Sequence, residues 1–119
     1  MLINRFTPVW VPPVDIYETE QHDVVLRVEL PDMTREDIEV TVENTTLTLR
    51  GTRKLPEGIR KDQYRRIERT YGTFSRSFTL PASVDASKVV AEYKNGVLTV
   101  RLPFREDAKP RTINVEVAA

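Results

Sequence analysis

The sequence predicts an all-β fold, an immunoglobulin-like antiparallel β-sandwich, and three observations support this prediction. Apolar and polar residues alternate with period two over several short segments, which places every second side chain on the same face of a strand. Most of these segments end at a proline or a turn-forming pair, and none keeps a sustained helical period. The chain has 119 residues, of which 39% are hydrophobic, and this suits a single domain.

The alternating segments are rich in Val, Thr, Ile and Phe, which suit a half-buried pleated surface. In chain order they are residues 14–17, 24–30, 38–43, 47–50, 74–80, 97–102 and 113–117. Proline cannot donate a hydrogen bond to a strand ladder, so it ends pairing. It does so after three of the segments, at Leu30-Pro31, Leu80-Pro81 and Leu102-Pro103. The pair Asn95-Gly96 is the strongest hairpin signal, and its tight turn predicts a positive φ at the glycine.

The segment between residues 85 and 96 fits two structures. As a helix, it would be capped by Asp85 and would place three apolar side chains on one face. As a strand, it would run over residues 88–94 into the hairpin. We favour the strand, because residues 97–102 need an incoming partner strand.

Composition removes most enzyme chemistry. The chain contains no cysteine, which excludes disulfides, thiolate nucleophiles and sulfur-bound metal clusters. Its single histidine, His22, lies at a predicted hairpin tip, where a catalytic or metal-binding role is not expected. Four scattered glycines form no phosphate-binding loop. We therefore expect no enzyme activity, no cofactor and no metal. The first residues lack a hydrophobic run of signal-peptide length, so we expect a soluble cytoplasmic protein.

Charge is balanced overall but divided along the chain. The formal net charge is zero and the pI is about 6.6, so we expect neither nucleic acid nor membranes as partners. Residues 15–43 hold ten acids and two bases, whereas residues 50–69 hold eight bases and three acids. These two regions should attract each other. Nucleic-acid binding through residues 60–69, with Tyr64 as a stacking side chain, is disfavoured by the interspersed acids.

Four stretches and one tail motif are typical of a known family. They are Val14-Asp15-Ile16-Tyr17-Glu18-Thr19, Val28-Glu29-Leu30-Pro31 followed by Glu36-Asp37-Ile38, Tyr71 to Pro81 with its Phe-Ser-Arg-Ser-Phe core, Ala91-Glu92-Tyr93-Lys94-Asn95-Gly96-Val97-Leu98, and Ile113-Asn114-Val115. On these residues the chain resembles, from residue 13 to residue 117, the bacterial small heat-shock proteins of the alpha-crystallin family. The resemblance also favours the strand over the helix at residues 88–94.

The resemblance implies an organisation and an activity. Residues 1–12 would be an N-terminal arm, shorter than the family generally carries. Residues 13–104 would be an alpha-crystallin domain with a long loop carrying an exchanged strand, at about residues 54–69, and residues 105–119 would be a C-terminal extension. The protein would be a homodimer or a higher oligomer that binds unfolding proteins as an ATP-independent holdase. The alternative is a related sandwich that serves one partner as a co-chaperone or adaptor, and a monomer in solution would favour it.

The resemblance also implies a dimer interface in which the exchanged strand pairs with the first strand of the partner. The expected interface residues are Asp15, Ile16, Tyr17, Glu18, Tyr64, Arg65, Arg66, Ile67 and Arg76. The basic exchanged strand would then face acidic residues, which would help to set register and association rate. Alternatively, both charged stretches are solvated surfaces. Arg76 lies between two phenylalanines and needs a carboxylate or backbone partner if buried, unless it extends to solvent.

Three further sets complete the expected sites. Ile113 and Val115 project from one face of an extended tail and would fill a groove of another subunit, unless residues 113–117 are simply the last strand of their own domain. The resemblance implies that the receiving groove would be lined by Val40, Val42, Val89 and Val90. Clients would contact the apolar side chains of the arm, with Leu2, Ile3, Phe6, Val9 and Trp10 as candidates.

Overall fold

Residues 10–118 are described by the structure, a computed structural model. Two antiparallel sheets pack face to face, one with the strand order β1-β2-β7-β6 and the other with the order β3-β4-β5. The strands are β1 (Val14–Glu18), β2 (Val24–Glu29), β3 (Ile38–Glu43), β4 (Thr46–Arg53), β5 (Gly72–Thr79), β6 (Val90–Lys94) and β7 (Val97–Leu102). The predicted all-β sandwich is confirmed, and six of its seven strands overlap the alternating segments, the exception being β6.

The predicted hairpin between β6 and β7 is present. Asn95 and Gly96 both adopt positive φ values, 54° and 75°, as a two-residue turn of this kind requires. The carbonyl of Gly96 accepts a 2.8 Å hydrogen bond from the backbone of Leu30. A side chain at Gly96 would also lie 3.2 Å from the Cα of Pro31, so the turn is packed against the end of β2.

The ambiguous segment contains parts of both predicted structures. Asp85 does act as a cap, because its carboxylate accepts a 3.1 Å hydrogen bond from the backbone of Ser87. The helix that it caps is only one 3₁₀ turn, Ala86–Lys88. Strand β6 then begins at Val90, two residues later than the predicted strand. The favoured strand is therefore correct, with a later start.

Residues 113–117 form no strand with the described part of their own chain. Alternation gives these residues an apolar face. The seven strands already enclose the core, so no described surface of the same chain covers that face. The interpretation of these residues as an ordinary last strand is therefore wrong.

The core lies between the sheets and is almost entirely aliphatic. Its buried side chains are Leu26, Val28, Leu30, Leu47, Leu49, Phe74, Leu80, Leu98, Val100 and Leu102. Burial of this apolar surface is the main force that holds the sheets together, at roughly 25 cal/mol per Å². Among the residues in the described range, one charged side chain is also buried: Arg53, with 7% of its surface exposed.

Gly51 permits the closest approach of β4 to its neighbours. It is paired with Ile38 on one side and Phe74 on the other. A Cβ at this position would lie 2.5 Å from the carbonyl oxygen of Asp37 and 2.5 Å from a ring carbon of Phe74. No ordinary packing allows such distances, so the phenylalanine ring occupies the space that a side chain here would need.

We predict that Gly51→Ala lowers the free energy of unfolding by about 2–3 kcal/mol, more than the control below, because the Phe74 ring and the Asp37 backbone must move apart. Urea unfolding followed by circular dichroism measures the change. Gly58→Ala is the matched control: nothing lies near its Cβ position, although its φ of 83° adds about 1 kcal/mol of strain. Equal losses for the two variants would contradict the steric explanation.

Asp37 closes the turn that leads into β3. Its carboxylate accepts hydrogen bonds from the backbone and the hydroxyl of Thr34, at 3.2 and 2.9 Å. It also forms a 3.2 Å ion pair with Lys54. The bonds from Thr34, and then the charge of Lys54, hold the pKa of Asp37 below its ordinary value.

We predict that Asp37→Asn lowers the free energy of unfolding at neutral pH by on the order of 1 kcal/mol. The native pKa lies below the unfolded one, so the contribution of this carboxylate is complete above the unfolded pKa. It is lost as the pH falls from about 3.8 through the native pKa. Urea unfolding at a series of pH values should show the gap between wild type and variant closing in this range. Asp62→Asn, at an exposed position, is the control, and a gap independent of pH would refute the assignment.

Candidate functional site

Strand β1 is an edge strand with an exposed apolar surface. It pairs with β2 on one side, and no described strand pairs with its other side. Ile16 lies on the same face of the sheet as the core residue Leu26, its partner on β2, yet 54% of its surface is exposed. Tyr17 on the opposite face is 48% exposed, and both flanking acids, Asp15 and Glu18, are exposed as well. The predicted interface residues of β1 therefore form one accessible edge.

The long loop, residues 54–71, connects β4 to β5 at one end of their sheet, where Arg53 pairs with Gly72. Its only regular element is one 3₁₀ turn, Lys61–Gln63. The predicted exchanged strand, residues 64–68, forms no strand within the single chain. Arg65 and Ile67 are exposed, and Arg66 reaches Glu68 of the same loop at 3.0 Å.

Both ends of the long loop are held by ion pairs to the acidic region. Lys54 pairs with Asp37 at its start, and Arg69 pairs with Asp32 at 3.0 Å at its end. The hydrogen bond from Arg69 to Asp32 raises the pKa of that guanidinium. The attraction expected between the two charged regions therefore acts partly within one chain. Arg65 and Arg66, in the middle of the loop, contact neither of these carboxylates.

Arg76 lies on the core-facing side of β5, opposite Leu49. Its Nη1 donates a 3.1 Å hydrogen bond to the carbonyl of Pro12, and its guanidinium lies 5.1 Å from the centre of the Phe78 ring. The expectation that a half-buried arginine here finds a backbone partner is confirmed. This contact joins Pro12, at the end of the proposed arm, to β5. A role of Arg76 between subunits stays a prediction.

Sequence reasoning missed a cluster around Arg53, the last residue of β4. Its Nε donates to the carbonyl of Thr70 at 2.7 Å, and its Nη1 donates to that of Pro31 at 3.3 Å. The guanidinium stacks on Trp10, 4.3 Å from the ring centre. The alternation of β4 contained a usable signal, because it places Arg53 on the same face as Leu47 and Leu49.

Trp10, a predicted client-binding candidate, is half-buried rather than freely exposed, and client binding by it stays a prediction. Its indole nitrogen donates a 2.9 Å hydrogen bond to the carbonyl of Gly72. Its ring meets Phe74 edge to face, with the ring centres 5.3 Å apart. Trp10 is thus docked on its own domain, whereas its neighbour Val11 is 67% exposed. The other client candidates, Leu2, Ile3, Phe6 and Val9, lie outside the described residues.

Three of the residues predicted to line a groove lie near two open edges of the sandwich, those of β3 and β6. On one side of the sandwich, Pro12 accepts a hydrogen bond from Arg76 of β5, and Pro13 accepts one from Glu29 of β2. These residues therefore link the two sheets on that side. The edges of β3 and β6 lie on the opposite side. Val40, Val42 and Val89 are half-buried there and pack against the core.

Val90 does not belong to this surface. It pairs with Arg101 and is 59% exposed, because successive side chains of a strand point to opposite faces. It therefore lies on the outer face of its sheet, away from Val89.

The tail after β7 exposes a row of apolar side chains. Ile113, Val115 and Val117 are 74%, 90% and 94% exposed. No described residue of the same chain covers them. The motif is therefore available to a partner.

The remaining expectations concern His22, metal binding and membranes. His22 lies in the turn between β1 and β2, as predicted, and its Nδ1 is 3.1 Å from Glu18. Over residues 10–118, no group of three or more potential ligand side chains is placed to bind a metal ion. Within the same range, no helix is long and apolar enough to cross a lipid bilayer.

Comparisons with known proteins agree on one family. The model of the Hsp20/alpha crystallin family matches residues 15–117. Spore protein SP21 of Stigmatella aurantiaca is 37% identical over 91% of this chain and 63% of its own length. Small heat shock protein C2 of Rickettsia felis is 35% identical over 89% of this chain and 68% of its own length. This chain thus spans about two thirds of these relatives.

A solved structure shows the same fold. The small heat-shock protein from Xylella fastidiosa superposes with a TM-score of 0.76 at 39% identity, over 92% of this chain and 99% of that one. The family model, the relatives and the shared sandwich lead to one conclusion. This chain belongs to the Hsp20/alpha crystallin family of small heat-shock proteins.

Proposed function

We propose that this chain is an ATP-independent holdase that binds unfolding proteins and prevents their aggregation. One observation carries the proposal: within the described residues, large exposed apolar side chains are confined to the arm root, the edge strands, the long loop and the tail. They are Val11, Ile16, Tyr17, Ile59, Ile67, Val90, Ile113, Val115 and Val117. Such surfaces are where chains associate, and they can bind the apolar segments that unfolding exposes.

Family membership supports this activity over the adaptor alternative. Relatives of this chain are named small heat shock proteins in bacteria and heat shock proteins in plants. Binding by exposed apolar edges consumes no ATP and needs no catalytic group. The holdase therefore acts without a cofactor, and we place it in the cytoplasm as part of the same proposal.

Self-association is part of the proposed function. The long loop of one chain would reach β1 of its partner, and residues 64–68 would pair there as an added strand. The free edge of β1 and the exposed Ile67 support this arrangement, because an unpaired edge is a template for another strand. Arg65 and Arg66 would then approach Asp15 and Glu18 of the partner.

The tail would link such dimers into larger assemblies. Ile113 and Val115 are exposed and lie two residues apart on one face. The open side between β3 and β6 offers Val40, Val42 and Val89 to receive them. This assignment keeps the proposed arm, domain and extension (residues 1–12, 13–104 and 105–119), and it removes Val90 from the groove.

We predict that the protein suppresses the aggregation of a heat-labile client at near-equimolar ratio without ATP. Light scattering of the warmed client measures this, with an inert protein of equal mass as the control. Unchanged scattering by a dimeric protein would contradict the holdase proposal, and unchanged scattering by a monomer would favour the adaptor.

We further predict that Arg65→Glu with Arg66→Glu weakens the dimer at low salt, because like charges would then meet across the interface. Analytical ultracentrifugation at two salt concentrations measures the dissociation constant. The effect should shrink at high salt, since exposed charges are screened. Arg105→Glu, outside the proposed interface, is the control. An unchanged dissociation constant at low salt would refute the complementarity.

A further inference from the structure

Arg53 holds together the two ends of the long loop. It is the last residue before the loop, and its Nε donates to the carbonyl of Thr70 near the loop's end. Its Nη1 donates to Pro31, at the connection between the sheets. A buried guanidinium without a paired carboxylate needs such acceptors to offset its lost hydration. No described carboxylate lies within ion-pair distance of it.

The face of the same guanidinium is covered by the arm. Trp10 lies 4.3 Å from it, and Tyr71 of the loop lies 5.9 Å from it. Trp10 also donates to Gly72, where the loop returns to β5. If the indole left this position, the loop base would lose two contacts, and water would reach the guanidinium.

The network continues to the exposed end of the loop. Arg69 donates to the hydroxyl of Tyr71 at 3.1 Å and stacks on its ring, while it also pairs with Asp32. A continuous set of contacts therefore runs from the arm to the loop end, through Trp10, Arg53, Tyr71, Arg69 and Asp32.

We propose that Trp10 and Arg53 form a latch that couples the position of the N-terminal arm to the geometry of the long loop. The latch has two states, with Trp10 docked on Arg53 or displaced from it. Displacement loosens the loop base, and by thermodynamic reciprocity a loosened loop releases Trp10. Arg53 is then a positioning residue for the loop. Where the loop mediates dimerisation, as proposed above, engagement of the arm by a client would weaken the subunit interface.

The first test perturbs the loop and measures the arm. Trp10 is the only tryptophan of the chain, so its fluorescence in the full protein reports directly on docking. Arg69→Ala should shift the emission of Trp10 to longer wavelength and raise its quenching by acrylamide roughly twofold or more. Arg60→Ala, an exposed arginine of the same loop outside both the network and the proposed exchanged strand, is the matched control. Identical fluorescence of the two variants and the wild type, with circular dichroism showing all three folded, would overturn the proposal.

The second test perturbs the latch and measures the subunit interface. Arg53→Lys keeps the charge but loses the planar fork, and Trp10→Ala removes the ring. Each should speed subunit exchange by about tenfold, which corresponds to about 1.4 kcal/mol, while Arg50→Lys and Val11→Ala should not. The double variant should be no faster than the faster single one, because both remove the same contact. Wild-type exchange rates in folded latch variants would overturn the coupling.

The two tests separate this inference from the proposed dimer. If the wild-type chain is monomeric, the loop-exchange proposal fails, and the fluorescence of Arg69→Ala still decides the latch.

Discussion

The open edges of the two sheets are the constraint on which the rest of this structure depends. Two separate sheets, β1-β2-β7-β6 and β3-β4-β5, leave four edge strands, and unpaired edges attract other strands. One side is closed by the chain itself, where Trp10 and Pro12 contact β5. The edge of β1 and the side between β3 and β6 stay open. In the proposed assembly, the exposed apolar residues of the loop and tail would be the parts that a second copy offers to these edges.

The closed side shows how Trp10 and Pro12 contribute to the fold. An edge-to-face contact of Trp10 with Phe74, a cation–π contact and backbone hydrogen bonds converge around Arg53, at the junction of both sheets. These are directional interactions that fix geometry beyond what aliphatic burial requires. The ion pairs Lys54–Asp37 and Arg69–Asp32 support the same loop at the surface, where each contributes little by itself. The long loop is thus held at its base and left open in its middle.

Much of the fold could be predicted because it is encoded locally. Period-two alternation located the strands, and Asn95-Gly96 located the hairpin, since only a few residue types accept its positive φ values. Asp85 was ambiguous because its capping carboxylate serves one 3₁₀ turn as well as it would serve a longer helix. Residues 113–117 and Trp10 show the limit: their environment depends on tertiary contacts, which periodicity does not describe. The burial of Arg53 depends on the same contacts, although its position in β4 was predictable.

The exchange of the long loop between subunits is the central claim, and the absence of cysteine from the sequence allows a direct test. Chains carrying Tyr17→Cys and isotopically labelled chains carrying Ile67→Cys are mixed, allowed to exchange and mildly oxidised, and the disulfide-linked species are weighed by mass spectrometry. The account predicts that the mixed species, linking β1 of one chain to the loop of another, exceeds both homodimeric species. If both chains are folded and the mixed species is no more abundant than random collision would give, the exchange is contradicted.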